Sequence, residues 1–190
     1  MIDENVHKSG KIKKTTNQTL RQTVLASLFI ALALLLPLLT GQIKQFGKAL
    51  CPMHIPVLLC GYFCGPWFAL IVGIISPILR SFLFGMPVLF PSGIAMSFEL
   101  AGYGFTAAVL SKKLSKKKIY VYISLFCSMV SGRVIWGAVM AVLNGLGKAN
   151  FGFEAFIGGA VLDAIPGIIL QFILIPVLVI TLDRYTYDKY

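Results

Sequence analysis

The sequence predicts an all-α integral membrane protein in which six helices cross the bilayer as one bundle. Of its 190 residues, 57% are hydrophobic and only 13% are charged, and the mean hydropathy is +0.85. An average soluble domain is roughly a quarter charged, so a water-soluble fold of this size cannot enclose so much apolar surface. At ~20 residues per crossing, the length allows about six spans and no separate soluble domain.

The apolar runs and the turn signals between them divide the chain into helices. A polar tail at residues 1–19 lacks the small-residue cleavage pattern of a signal peptide, so the first apolar run is a true span. The apolar stretch at residues 55–84 is too long for one crossing, and Gly65-Pro66 breaks it into a hairpin. We therefore predict six helices, at about residues 20–39, 54–64, 66–84, 92–110, 119–143 and 155–182.

The distribution of positive charge predicts the topology. Basic residues gather in the N-terminal tail, in the loop at residues 111–118 and at the C-terminus, whereas the other long connections hold few. The positive-inside rule then places both termini in the cytoplasm, with a membrane domain at residues 20–184 and a short tail at residues 185–190. Placement beside apolar ends also explains the net charge of +10 without nucleic-acid binding, although the tail can contact anionic lipid headgroups.

Four ionisable residues lie inside the predicted spans: Arg80, Glu99, Arg133 and Asp163. Charges in a bilayer face the bundle interior, pair with one another or line a polar cavity. At a rise of about 1.5 Å per residue, the last three lie roughly 10–15 Å below the outer ends of their helices. Arg133 either only pins its neighbouring helices through ion pairs, or the three residues form the floor of an outward-facing cavity. The nearby aromatic and polar residues would then be Tyr103, Trp136, Asn144 and Gln171.

His54 and the three cysteines near it raise the alternative of a metal or redox site. Their spacing matches no standard zinc pattern, and Cys60 and Cys64 are one residue too far apart for a C-x-x-C pair. A serine dyad lacks a convincing partner, because the only other histidine is His7 in the tail. We therefore predict no metal, no cofactor and no catalytic residue, with the cysteines as packing residues.

Two further features favour a binding subunit that takes energy from partner proteins. The chain has no phosphate-cradling glycine motif, so it cannot energise transport alone. It is also short for a secondary transporter built from repeats. Two alternatives stay open: a small intramembrane enzyme that uses Glu99 or Asp163 as its acid or base, and a structural assembly protein whose charges only join helices.

The chain resembles the substrate-binding S components of energy-coupling factor (ECF) vitamin transporters over about residues 18–184. The likeness rests on the six spans, the basic tail, the small residues of LASLFIALAL, the hairpin PVLLCGYFCGPWFALIVGIISPIL and the segment GRVIWG. It implies a multi-pass protein of a bacterial or archaeal cell membrane that captures a vitamin or vitamin precursor at the outer face. It also implies partners: a membrane T subunit that carries two ATPase subunits.

The resemblance further implies which residues take part. Docking on the T subunit uses small residues of the first helix, here Ala26, Ser27, Ala31 and Ala33. The pocket walls would be Glu99, Tyr103, Arg133, Trp136, Asn144 and Asp163. The lids over the pocket would be Met53, His54, Arg80, Met86 and Phe90. Clear riboflavin, thiamine or biotin motifs are not found. The expected cargo is a flat heteroaromatic compound such as a pyridoxine-like vitamin, with pantothenate and cobalamin precursors as alternatives.

Overall fold

The structure, a computed structural model, describes residues 2–39, 51–114, 118–146, 158 and 165–187. The described residues form helices and no strand, which confirms the predicted all-α fold. Five of these helices are long and apolar enough to cross a membrane, and the second, with 11 residues, is shorter. The helices are α1 (Ile2–Leu39), α2 (His54–Cys64), α3 (Pro66–Phe84), α4 (Ile94–Lys113), α5 (Lys118–Gly145) and α6 (Ile165–Tyr187).

The first and last helices differ most from the ends predicted from sequence. Helix α1 begins at Ile2, so it continues through the polar segment ahead of its apolar part, Thr16–Leu38. Helix α6 extends to Tyr187, and its expected start near residue 155 lies outside the described residues.

A glycine–proline pair separates α2 from α3. Gly65 has a φ of 94°, a left-handed value that residues with a side chain rarely adopt. Pro66 follows as the first residue of α3, where its missing N–H has no intrahelical partner to lose. The two residues thereby turn one long apolar stretch into a tight helical hairpin.

Helix α4 lies at the centre of the bundle and packs against α2, α3 and α5. Glycines allow the helix backbones to touch. A Cβ atom on Gly73 of α3 would lie 2.5 Å from the backbone nitrogen of Ala101, and one on Gly61 of α2 would lie 2.6 Å from the Gly104 carbonyl oxygen. Among the candidate spans, the one containing α4 is the most buried.

Two ends of the bundle differ in character. At the basic end, the Lys112 ammonium of α4 lies 3.3 Å from the place that a Cβ on Gly65 would take. Arg21 of α1 interacts electrostatically with Cys64 at the end of α2, so it belongs to the same end. At the opposite end, called here the site end, α2 begins at His54 and α3 ends at Phe84.

Exposure follows the pattern of a bundle in lipid rather than in water. Large apolar side chains such as Trp67 and Phe82 are 71% and 73% exposed. Several polar or charged side chains, among them His54, Arg80 and Glu99, are buried instead. A bilayer favours this arrangement, because apolar surface is stable in hydrocarbon and charges are not.

Candidate functional site

An ion pair joins α4 and α5 inside the bundle. Glu99 Oε1 lies 2.9 Å from Arg133 Nη1, and the two side chains are only 4% and 17% exposed. Gly132, beside Arg133, permits the close approach of the two helices, since the Tyr103 ring takes the space that a Cβ on Gly132 would fill. The structure therefore brings together the charges of α4 and α5 that sequence reasoning placed at one level.

His54 approaches the same carboxylate from α2. Its Nε2 atom lies 3.5 Å from Glu99 Oε1. Its ring meets the Tyr103 ring edge-on, with centroids 5.0 Å apart and planes at 87°. Glu99 and Tyr103 are one helical turn apart on α4, and as the i, i+4 spacing predicts, both face the same neighbour.

Cys51 completes this group at the entry to α2. Its carbonyl oxygen accepts hydrogen bonds from the His54 backbone N–H (3.0 Å) and from Gln171 Nε2 of α6 (3.4 Å). Its sulfur accepts one from Arg133 Nη2 at 3.9 Å. Burial raises the pKa of the Cys51 thiol, so Arg133 faces a protonated sulfur, a weak acceptor. Cys51 was expected only to pack, but its carbonyl oxygen contacts α2 and α6 and its sulfur contacts α5, and its φ is 45°.

We call Cys51, His54, Glu99, Tyr103 and Arg133 the polar cluster. Four of its buried side-chain atoms have no hydrogen-bond partner among the described residues: His54 Nδ1 and Nε2, Glu99 Oε1 and Arg133 Nε. The Glu99 oxygen contacts Arg133 Nη1 without an aligned hydrogen bond. Each buried polar atom without a partner costs about 1–3 kcal/mol, and such atoms concentrate at functional sites. The cluster thus has spare hydrogen-bonding capacity of both kinds, donor and acceptor.

Arg80, expected among the lids, is directed to α1. Its Nη1 donates to the Leu34 carbonyl oxygen at 3.1 Å, and its guanidinium lies 5.5 Å from the centre of the Phe84 ring. A cation near a helix C-terminus is stabilised by the helix dipole and by the last carbonyl groups. Arg80 therefore fastens the end of α1 to α3 at the site end.

The other expected residues of α2 and α5 lie at different distances from the cluster. Met53 is buried directly before His54. Trp136 is half-buried and lies one helical turn from Arg133. Asn144 is exposed and eleven residues beyond Arg133, which is about 16 Å along α5, so the structure does not bring it to the cluster.

Two of the remaining expected residues lie in the connection between α3 and α4. Met86 is half-buried, and Phe90 is 41% exposed, in the segment between α3 and α4. That segment contains an irregular turn, Leu89–Gly93, in which Phe90 has extended backbone angles. Asp163, the third member of the expected charge group, lies outside the described residues.

The four small residues of α1 separate into two pairs. Ala26 and Ala33 are buried against the bundle, whereas Ser27 and Ala31 are exposed. The Ser27 hydroxyl donates to the Thr23 carbonyl oxygen at 3.0 Å, so its polarity is satisfied within the helix. The small-residue pair that α1 presents on the outside of the bundle is therefore Ser27 and Ala31.

Neither a disulfide nor a metal cluster is found in the described part of the chain. All four cysteines lie in that part, and none is in a disulfide. No group of three or more His, Cys, Asp or Glu side chains among the described residues is arranged to hold a metal ion.

Comparison with known proteins gives one informative result. The family model described as ECF transporter, substrate-specific component, matches residues 21–179. The matched range contains all five residues of the polar cluster and the exposed pair on α1. No curated protein and no solved structure matches the chain.

Proposed function

The chain belongs to the family of substrate-specific components of ECF transporters, and we propose that it is a high-affinity membrane subunit that binds a vitamin or vitamin precursor for uptake. Members of this family are transport-binding subunits and not enzymes. In the proposed complex a membrane T subunit docks on the chain, and two ATPase subunits hydrolyse ATP. The complex resides in a bacterial or archaeal cell membrane.

The polar cluster is the observation that carries this proposal. A pair that served only to join α4 and α5 would need one carboxylate and one guanidinium in aligned contact. Instead, His54 adds a third polar group, and four buried atoms of the cluster have no hydrogen-bond partner among the described residues. In a bilayer that cost is offset most directly by a small ligand whose own polar atoms complete the hydrogen bonds.

The orientation of the bundle follows from its two ends. Arg21, Lys112, Lys113 and Lys118 lie at or beside the basic end, and the positive-inside rule assigns such an end to the cytoplasm. The site end, with the polar cluster, then faces outward, where a scavenged nutrient arrives. In this orientation both termini are cytoplasmic. The chain crosses the membrane six times, through the five long helices and the shorter α2.

The proposed cargo is a flat heteroaromatic compound such as a pyridoxine-like vitamin. Tyr103 contributes a buried aromatic ring to the polar cluster, and Trp136 lies one turn from Arg133. We assign Met53, His54, Arg80, Met86 and Phe90 to the outer lids. Asn144 and Asp163 are assigned to the pocket wall, on the family resemblance alone.

Binding of a vitamin by the isolated subunit tests the function. The protein is purified in detergent, freed of bound small molecules by partial unfolding and refolding, and titrated calorimetrically with a panel of water-soluble vitamins and precursors. We expect submicromolar binding of one compound with no chemical change to it. Binding should be lost in Arg133→Gln. It should be kept in the control variant Ser131→Ala, because the Ser131 hydroxyl, two residues away, faces Thr106. Absence of binding across the panel would reject the proposal, and turnover abolished by Glu99→Gln would indicate an enzyme instead.

A further inference from the structure

The two edges of the Arg133 guanidinium have different surroundings. Nη1 faces Glu99 at 2.9 Å. Nε and Nη2 form the other edge, which can donate two parallel hydrogen bonds to one planar group. On that edge Nε has no partner among the described residues, and Nη2 contacts the Cys51 sulfur at 3.9 Å. Among the described residues, the Nε/Nη2 edge therefore has one weak hydrogen bond, to a thiol, while the Tyr103 hydroxyl interacts with the same guanidinium.

Acceptor capacity lies within the same cluster. Glu99 Oε1 has no aligned hydrogen bond, and both ring nitrogens of His54 are buried without a partner among the described residues. A neutral imidazole offers one donor and one acceptor, and a carboxylate oxygen offers acceptors only. A ligand at this place therefore meets donors from Arg133 and acceptors from Glu99 and His54.

The two opposite charges of the Glu99–Arg133 pair cancel before any ligand arrives. Glu99 and Arg133 carry opposite charges at 2.9 Å, and Cys51 and Tyr103 contribute a thiol and a phenol. An anionic ligand would place a second negative charge beside Glu99 in a buried site, where like charges repel strongly. An uncharged ligand avoids this repulsion and still completes the open hydrogen bonds.

We propose that the polar cluster recognises an uncharged, planar polar group of the substrate, with a hydrogen-bond acceptor for the Nε/Nη2 edge of Arg133 and a donor for Glu99 or His54. The amide-like edge of a nitrogen heterocycle, or a carboxamide on such a ring, has this chemistry. A carboxylate does not, because it has no donor and adds a charge. The uncharged group of the substrate replaces the Cys51 sulfur as the hydrogen-bond acceptor of Arg133 Nη2. This inference rests on the proposed function.

Matched pairs of compounds that differ by one carboxylate test the inference on the wild-type protein. The pairs are pyridoxine and 4-pyridoxate, nicotinamide and nicotinate, and pantothenol and pantothenate. If a compound of the vitamin panel that binds carries a carboxylate, that compound and its primary amide form a further pair. We expect the uncharged member of each binding pair to bind at least tenfold more tightly. A carboxylate member that binds more tightly, or binding that is lost when the carboxylate becomes an amide, overturns the inference and leaves the proposed function standing. No binding by any compound rejects both.

Two variants separate recognition from folding. Glu99→Gln removes the negative charge of the cluster. We therefore expect the ratio of affinities, uncharged member over carboxylate member, to fall by tenfold or more. Arg133→Lys keeps the positive charge and loses the two-pronged edge, so binding of the uncharged member should weaken at least tenfold. Ser131→Ala should leave the ratio of affinities unchanged. An unchanged ratio in a folded Glu99→Gln protein contradicts the inference, and the wild-type comparison decides it if that variant does not fold.

Discussion

Glu99 on α4 and Arg133 on α5 meet at 2.9 Å in the interior of the bundle, and the carboxylate is almost completely buried. The contact lies beside Gly132 of α5, whose Cβ position is taken by the Tyr103 ring of α4. Because His54 of α2 also reaches Glu99, three helices meet at one carboxylate. The same residues therefore contribute both to the stability of the helix arrangement and to the proposed binding site.

Removing one partner of this ion pair should destabilise the protein more than removing both. Glu99→Gln or Arg133→Gln alone leaves an uncompensated buried charge, which costs about 3 kcal/mol or more. The double variant leaves a neutral pair of amides, so its cost should be smaller than that of either single variant. Thermal unfolding in detergent measures the three values as a double-mutant cycle.

Matched removal of an exposed charge provides the control for that cycle. Lys113→Gln, on the exposed end of α4, should leave the unfolding temperature unchanged. Additive losses for Glu99→Gln and Arg133→Gln would mean that the two charges do not stabilise each other.

The ion pair could be predicted from sequence because a charged side chain inside a bilayer can be stabilised in only a few ways. Glu99 and Arg133 lie at similar depths on different helices, and unpaired charges at that depth are too costly. The approach of His54 and Cys51 could not be predicted in the same way. It depends on the path of the chain into α2 and on the positive φ of Cys51, which no periodic pattern encodes.

The orientation of α1 was also beyond prediction. Its apolar residues surround the helix, because one side faces the bundle and the other is exposed with residues such as Leu28 and Leu35. Such a helix has no polar stripe from which the buried side can be read. Only the contacts with α2 and α3 show that Ala33 faces inward and Ala31 outward.

The close contact between α3 and α4 should not tolerate a methyl group. Gly73→Ala places a Cβ at 2.5–2.7 Å from backbone atoms of Ala101 and Leu100, which cannot move aside as a flexible side chain could. Overpacking of this kind costs about 1–3 kcal/mol. Gly145→Ala is the matched control, since nothing lies within 4 Å of its Cβ position. Equal unfolding temperatures for the two variants would contradict the observed helix contact.

Arg80 should hold the site end of α1 in place. Arg80→Met removes a charge-assisted hydrogen bond to the Leu34 carbonyl, worth about 1.5–3 kcal/mol. Amide hydrogen exchange in α1 near Leu34 should accelerate, with little change near Thr19. Arg21→Met removes an exposed cation from the other end of α1 and serves as the control. If both variants exchange at the same rate near Leu34, Arg80 does not fasten the helix.

The exposed small-residue pair on α1 should be needed for docking on the T subunit. Small side chains let another helix backbone approach closely, so Ser27→Leu and Ala31→Leu should each reduce co-purification of the T subunit and the ATPases. Because both positions are exposed, neither change should alter the folding of the isolated chain or its binding of the vitamin. Ala138→Leu is the matched control, since it adds the same side chain to an exposed position on α5. The docking assignment fails if complexes with Ser27→Leu and Ala31→Leu form as well as those with Ala138→Leu.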